Sequence, residues 1–153
     1  MSFLSEIDLD DASLPVTSPE LEQERRVAVF DLREDNHFEL KDGSKGPYRL
    51  RLGAQDGGIT FDWQASDGGA GSFRLALGAL GQAARDYRSI CESYVDAVRT
   101  LPPARIEEID SARREIHSEA ARQLQNRLSD HVEVDEPTAR RLFTLICAMD
   151  GSA

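Results

Sequence analysis

The chain has 153 residues, of which 40% are hydrophobic and 30% are charged, a composition typical of a single soluble domain spanning residues 1–153. No apolar run approaches the ~20 residues that span a bilayer, and the acidic N-terminus lacks the features of a signal peptide, which predicts a cytoplasmic protein. The net charge of −10 disfavours nucleic acids and anionic membranes as partners. The acidic segment 1–17 is expected to be partly flexible.

The N-terminal third is predicted to contain one short strand and one helix. Residues 3–9, "FLSEIDL", have the pattern of a short strand. Residues 17–36 are predicted to be helical, because Ser18 can cap the first turn and Asn36 is a plausible stop. The stretch "RVAVF" within this segment would also suit a strand, and the sequence leaves that alternative open.

The middle of the chain is predicted to form a three-stranded antiparallel meander. In "PYRLRLG", "ITFDWQ" and "SFRLAL", apolar and polar residues alternate, as expected for strands with one buried face. The Asp-Gly pairs between them are typical of turns that join antiparallel strands. The predicted core face comprises Tyr48, Leu50, Leu52, Ile59, Phe61, Trp63, Phe73, Leu75 and Leu77.

The opposite face of this sheet carries three arginines, Arg49, Arg51 and Arg74, on the same side as Asp62. Cross-strand pairing of arginine with aspartate on a solvated surface is one interpretation. The other is a docking face for a partner, including one that closes a dimer. The sequence therefore marks the three arginines as a possible interface.

Three helices are predicted after the meander. They cover residues 80–100, residues 104–129, and a last helix that Asp135 can cap. Residues 132–134, "VEV", are predicted to be a short strand or a connector. The chain should therefore be an α+β domain of two layers, in which the meander, with any short strands that extend it, packs on about four helices.

The helix 104–129 places charged side chains beside its apolar stripe. With 100° between successive residues, Arg113 falls within the stripe, His117 on its flank and Asp110 at its edge. Such groups need partners when buried. The partner is either an internal carboxylate, from Asp110, Glu92 or Asp86, or an anionic ligand. The candidate binding cluster comprises Asp110, Arg113, Arg114 and His117.

The sequence contains no recognisable catalytic or metal-binding motif. The three histidines are scattered, and neither a phosphate-binding loop nor a serine-nucleophile motif occurs. Cys91 and Cys147 lie in apolar helical patterns and are predicted to be buried, reduced thiols. We therefore predict no metal and no cofactor, and the sequence does not decide whether the protein is an enzyme.

Five stretches, taken in order, resemble one family of small bacterial proteins. They are "SPELEQERRVAVFDL", "GPYRLRLG", "ICESYVDAVR", "IEEIDSARREIHSE" and "VEVDEPTARRLFTLIC". The family is number zero-two-six-two in the series of uncharacterised protein families and is found mainly in alphaproteobacteria. The resemblance covers nearly the whole chain, and it implies no activity, cofactor or catalytic residue that could be carried over.

These patterns favour a non-enzymatic cytoplasmic interaction or adaptor protein that binds a protein partner or forms a homodimer. The absence of a catalytic signature and the open edges of the sheet carry this prediction. The alternative is a small-ligand or anion-binding protein, with or without enzymatic activity, that uses the cluster on helix 104–129.

Overall fold

A computed structural model describes residues 2–15 and 18–150, apart from the side chain of the last of these, and shows an α+β fold. Its strands are β1 (Leu4–Leu9), β2 (Phe38–Leu40), β3 (Tyr48–Gln55), β4 (Gly58–Gln64), β5 (Ala70–Ala76) and β6 (Val132–Val134). Its helices are α1 (Pro19–Glu34), α2 (Ala79–Thr100), α3 (Pro103–Leu128) and α4 (Glu136–Asp150). A short 3-10 helix, Asp11–Ser13, follows β1.

The main sheet has the strand order β1-β3-β4-β5. β3, β4 and β5 pair antiparallel in sequence order, which confirms the predicted meander. The turn from β3 to β4 has positive φ at both Asp56 (48°) and Gly57 (74°), as the two-residue turns of tight hairpins require. β1 adds a fourth strand, parallel to β3, so the sheet is mixed. Part of the acidic N-terminal segment is therefore an edge strand, and residues 1, 16 and 17 lie outside the described residues.

The predicted first helix is present, and the alternative of a strand at "RVAVF" is wrong. The Ser18 hydroxyl accepts a hydrogen bond from the Leu21 amide at 3.2 Å, which caps the helix. At the other end, the Asn36 amide group donates to the Leu32 carbonyl at 2.8 Å. The same side chain accepts from the Leu4 amide at 2.7 Å, so Asn36 joins the end of α1 to the edge of β1.

A second, two-stranded sheet forms from distant parts of the chain. β2 and β6 pair antiparallel, with Phe38 opposite Val134 and Leu40 opposite Val132. These four residues are buried. The strand at residues 132–134 is therefore confirmed, whereas β2 was not predicted, although its apolar-polar-apolar pattern is visible in the sequence.

The core lies between one face of the main sheet and the helices. Of the predicted core face, all residues are buried except Phe73, which is half-buried against the same core. α4 supplies more of the helical part than any other helix, because nine of the twelve side chains from Thr138 to Met149 are buried. The opposite face of the sheet is exposed at Arg49, Arg51 and Asp62. The two-layer arrangement leaves one face of the sheet and the outer surfaces of α1, α2 and α3 available to partners.

Candidate functional site

The buried face of α3 is turned from its predicted position. His117, Ala121, Leu124 and Leu128 are buried and mark one stripe at helical spacing. Arg113 lies on the same side of the helix, before the buried residues begin, and its side chain is 31% exposed. The prediction that His117 lies on the flank of the stripe is therefore wrong, because His117 is buried, whereas Arg113 lies on the side predicted for it but is only half-buried.

Asp110 is the ionic partner of both neighbouring arginines on α3. Its carboxylate lies 2.5 Å from Arg113 Nη2 and 3.3 Å from Arg114 Nε. The hydrogen bond from Arg113 holds the pKa of Asp110 below its usual value. The Arg113 guanidinium also lies over the Tyr94 ring, 5.0 Å from its centroid. The structure thus brings Asp110, Arg113 and Arg114 together as a partly exposed group whose positive charge is half neutralised.

His117 is separate from this ion pair and belongs to the core. Its ring contacts those of Tyr87 and Phe143, with centroids at 5.0 and 5.3 Å. Nε2 lies 2.8 Å from the Thr144 hydroxyl, which itself donates to the Arg140 carbonyl at 3.1 Å. Because that hydroxyl proton is already used, His117 Nε2 carries hydrogen and donates.

This arrangement leaves His117 uncharged at neutral pH. Burial, helped by the positive charges of Arg140 and Arg113, lowers the pKa of His117 to about 4. Nδ1 is buried and has no hydrogen-bond partner within the described residues. A neutral imidazole cannot attract an anion by charge, so any anion at α3 would depend on the two arginines.

We expect Arg113→Ala to lower the free energy of unfolding by only about 1 kcal/mol, the sum expected for a helical ion pair and an exposed cation–π contact. A fully buried ion pair would give ~3–5 kcal/mol. Urea unfolding measures the difference. Arg114→Ala is the matched control, since Arg114 shares Asp110 but its side chain is 61% exposed, and it should change stability less. A loss above ~3 kcal/mol for Arg113→Ala would show that this guanidinium is buried after all.

A groove of about 500 Å3 lies between α1 and α2, with α4 as its floor. Its lining is mostly apolar and includes Val27 from α1, Val95 from α2 and Ala148 from α4. Val27 is 47% exposed and Val95 is 55% exposed, although both are large aliphatic side chains. A folded domain gains nothing in stability from leaving such residues in water, so the groove is the strongest candidate for a binding site.

Both cysteines line this groove. Cys147 is buried, as predicted, whereas Cys91 is only half-buried because its helix face opens into the groove. Tyr87 lies beside Cys91, and burial together with this neighbour raises the pKa of Tyr87 to about 12. The groove interior therefore presents an uncharged phenol and thiols among aliphatic side chains.

The rim of the groove is acidic. Glu24 on α1 pairs with Arg88 on α2 at 3.6 Å, and Arg88 also donates to the Cys147 carbonyl at 3.1 Å. Asp31 on α1 and Glu92 on α2 also line the groove, and both are exposed. Neither has an ionic partner among residues 2–15 and 18–150. The groove thus combines an apolar interior with carboxylates on two opposite walls.

The three arginines of the exposed sheet face are held by local partners. Arg49 Nε lies 3.1 Å from Glu6, and Arg51 Nη2 lies 3.4 Å from Asp10, so both pair with acids of the N-terminal segment. Arg74 donates to the carbonyl groups of Gln55 and Asp56 at the turn after β3. Two of the arginines thus pair with acids at the solvated face, but the acids are Glu6 and Asp10 of the N-terminal segment and not Asp62 on the same face. A role for this face as an interface stays a prediction.

The described part of the chain contains neither a metal-binding cluster nor a membrane-spanning helix. Within it, His, Cys, Asp and Glu side chains form no group of three or more that could hold a metal ion. None of the helices in this part is both long enough and apolar enough to cross a membrane.

Comparison with known proteins identifies the family. The sequence profile named Uncharacterised protein family (UPF0262) matches residues 1–151. The chain belongs to this family. A UPF0262 protein of Paracoccus denitrificans (strain Pd 1222) is 54% identical over 152 residues, which cover 95% of this chain and 94% of the relative. One from Ruegeria sp. (strain TM1040) is 52% identical over 155 residues, covering 97% and 98%.

A third UPF0262 protein, from Jannaschia sp. (strain CCS1), is 50% identical and matches over the full length of both chains. No solved structure matches this protein. The resemblance seen in the sequence is thus confirmed, and the relatives come from alphaproteobacteria. The family name carries no activity, so the function has to be argued from the geometry.

The groove was missed by sequence reasoning, although a signal for it exists. Val27 lies outside the buried stripe of α1, and Val95 and Val98 form an exposed apolar line on α2 that Leu101 continues directly after the helix. Apolar residues beyond the core stripe indicate a second contact surface on a helix. The sequence alone does not show that Val27 and Val95 lie on opposite walls of one groove.

Proposed function

We propose that this UPF0262 protein is a non-enzymatic cytoplasmic interaction protein, and that a partner protein binds in the groove between α1 and α2. The observation that carries the proposal is the exposure of large apolar side chains in and beside a groove. Val27, Val95 and Val98 are each about half exposed, at 47%, 55% and 53%. Contiguous apolar surface of this kind marks protein interaction sites on soluble domains.

The extent of the apolar surface favours a protein over a small molecule. The volume of the groove alone, about 500 Å3, would also suit a small ligand. However, the apolar line on α2 continues beyond the groove lining to Val98 and to Leu101, which directly follows the helix. A small ligand in the groove would leave these residues in water, whereas a protein segment would cover them.

The polar cluster on α3 gives less support to an anion-binding function. Asp110 already pairs with both Arg113 and Arg114. His117 is neutral, and its Nε2 already has the Thr144 hydroxyl as hydrogen-bond partner. An anion would therefore have to compete with a carboxylate that is tethered on the same helix, and this favours the groove as the place where a partner binds.

Photo-crosslinking in living cells tests the proposal. A photoreactive benzoylphenylalanine replaces Val27 or Val95 in the tagged chain, which is expressed in Paracoccus denitrificans, the source of a 54% identical relative. We expect both positions to yield the same discrete crosslinked product, because they lie on opposite walls of one groove. Mass spectrometry of that product identifies the crosslinked segment.

The matched control places the same photoreactive group at Asp62, an exposed position on the arginine-bearing sheet face. Crosslinking at Asp62 but not at Val27 or Val95 would transfer the interface to the sheet and contradict the groove. A product that contains two copies of this chain and nothing else would show a homodimer, and the proposal of a different partner would be wrong.

A further inference from the structure

We infer that the segment held in the groove is an amphipathic helix of about fourteen residues, with basic side chains on both flanks of its apolar stripe. This inference rests on the proposed function and specifies the partner more closely. Two independent features carry it: the length and walls of the apolar surface, and the placement of acidic residues along its rim.

The shape of the apolar surface fits a helix. Tyr87, Cys91, Val95 and Val98 follow one another at spacings of three and four residues along α2, and Leu101, the residue after the helix, comes three residues later, so they form a single line. From the first to the last this line is ~21 Å long, at 1.5 Å per residue, which is the length of a helix of about fourteen residues.

The walls and floor of the groove are also helical. α1 and α2 each pack on α4, and the groove lies between them with α4 beneath. A segment lying there would contact three helices at once. A helix has its backbone hydrogen bonds satisfied internally, so it can present a continuous apolar stripe to such a site without leaving polar groups unpaired.

The rim of the groove specifies the charge of the segment. Asp31 stands on the α1 wall and Glu92 on the α2 wall, and neither has an ionic partner in the described part of the chain. The nearby cation, Arg88, is already engaged with Glu24 and with the Cys147 carbonyl. A bound helix would therefore meet uncompensated negative charge on both sides, which selects lysine or arginine at its flanks.

The same charges argue against a second copy of the chain as the occupant. A symmetric dimer buries the same surface on both subunits, so two grooves that face each other would bring Asp31 and Glu92 of both copies to one interface. Like charges across an interface oppose association, and each copy carries a net charge of −10.

Selection from a peptide library tests this inference. The library displays 18-residue helices on phage, with leucine fixed along one stripe and every flanking position randomised, and it is selected on the purified full-length protein. We expect lysine and arginine to become enriched on both flanks of the stripe. The Val95→Asp variant should lose binding of the selected peptides by more than about tenfold, because it places a charge in the apolar contact.

Two charge-reversal double variants distinguish the effect of the rim carboxylates from the effect of the protein's net charge. Asp31→Lys/Glu92→Lys should weaken the best selected peptide by at least about tenfold. The matched control, Asp8→Lys/Asp62→Lys, makes the same change in net charge at exposed acids of the sheet face and should leave affinity nearly unchanged. Thermal melts of both double variants verify that they are folded.

Three results would overturn the inference. These are flanks without basic enrichment, equal weakening by the control pair, and the absence of any binder that depends on Val95. After any of these results, the crosslinking experiment could still show a partner in the groove. Failure of the helix assignment can therefore be distinguished from failure of the proposed function. An acidic or extended crosslinked segment would likewise contradict only the inference.

Discussion

Replacing Phe61 by alanine is expected to lower the free energy of unfolding by about 3–5 kcal/mol, the range for deleting a large aromatic side chain from a packed core. Phe61 is fully buried in β4, and its ring stacks on Phe73 of β5 with centroids 4.7 Å apart. On the other side it lies opposite Leu52 of β3. The substitution leaves a cavity at the centre of the sheet, where two neighbouring strands limit collapse.

Urea unfolding measures this effect, and the neighbouring Asp62→Ala variant is the control. Asp62 lies on the exposed face of the same strand, where substitutions usually change stability by less than ~0.5 kcal/mol. If both variants unfolded at the urea concentration of the natural protein, the assignment of the two sheet faces would be wrong. Comparable losses for both variants would instead indicate that the exposed face is covered.

The meander could be predicted because its pattern is local. Alternation along "ITFDWQ" identifies both the strand and its buried face without knowledge of any partner. The place of β1 in the sheet could not be predicted in this way. Its parallel pairing with β3 puts Ile7 opposite Leu50, and a helix separates these two residues in the chain. Pairing between segments so far apart depends on how the whole chain packs, and short segments such as β2 carry too little pattern to be identified.

The error at α3 has a specific physical cause. The predicted stripe relied on isoleucines such as Ile109 and Ile116, which are only half-buried. The fully buried residues of α3 begin at His117, in the C-terminal half of the helix. His117 is turned inward by Thr144 and by the rings of Tyr87 and Phe143, which come from two other helices. A hydropathy pattern counts histidine as polar, and it contains no information on the hydrogen-bond and ring partners that distant segments supply.

Two other helical arginines, Arg25 and Arg127, have structural roles that the sequence does not reveal. Arg25 is buried on α1 because it donates to the carbonyl groups of Ala148 and Met149 at the end of α4, at 2.8 and 3.2 Å. A cation at this position satisfies terminal carbonyls and the negative end of the helix dipole. Arg127 likewise donates hydrogen bonds to the carbonyl groups of Ala76 and Leu77. These contacts are made across the fold, so the sequence shows the arginines but not their structural role.

The buried imidazole of His117 should make stability fall between pH 6.5 and pH 4. Its pKa is about 4 in the folded protein, against an ordinary value of 6.5 that applies when the chain is unfolded. In this interval the unfolded state binds the proton more strongly, so lowering the pH favours unfolding. The contribution of neutral His117 is complete above pH 6.5 and is lost progressively as the pH falls toward 4. From pH 7.5 to pH 5 the loss amounts to about 2 kcal/mol.

Comparison with His117→Gln isolates this contribution. A glutamine amide can still donate to the Thr144 hydroxyl, but it does not titrate, so the variant should lose about 2 kcal/mol less than the natural protein between pH 7.5 and pH 5. Carboxylates such as Asp110 are present in both proteins and cancel in the difference. His131→Gln, at an exposed histidine, should retain the natural slope because it leaves the buried imidazole in place. Equal slopes for the natural protein and His117→Gln would mean that the folded protein accepts the proton at His117 without cost, and therefore that the imidazole reaches water.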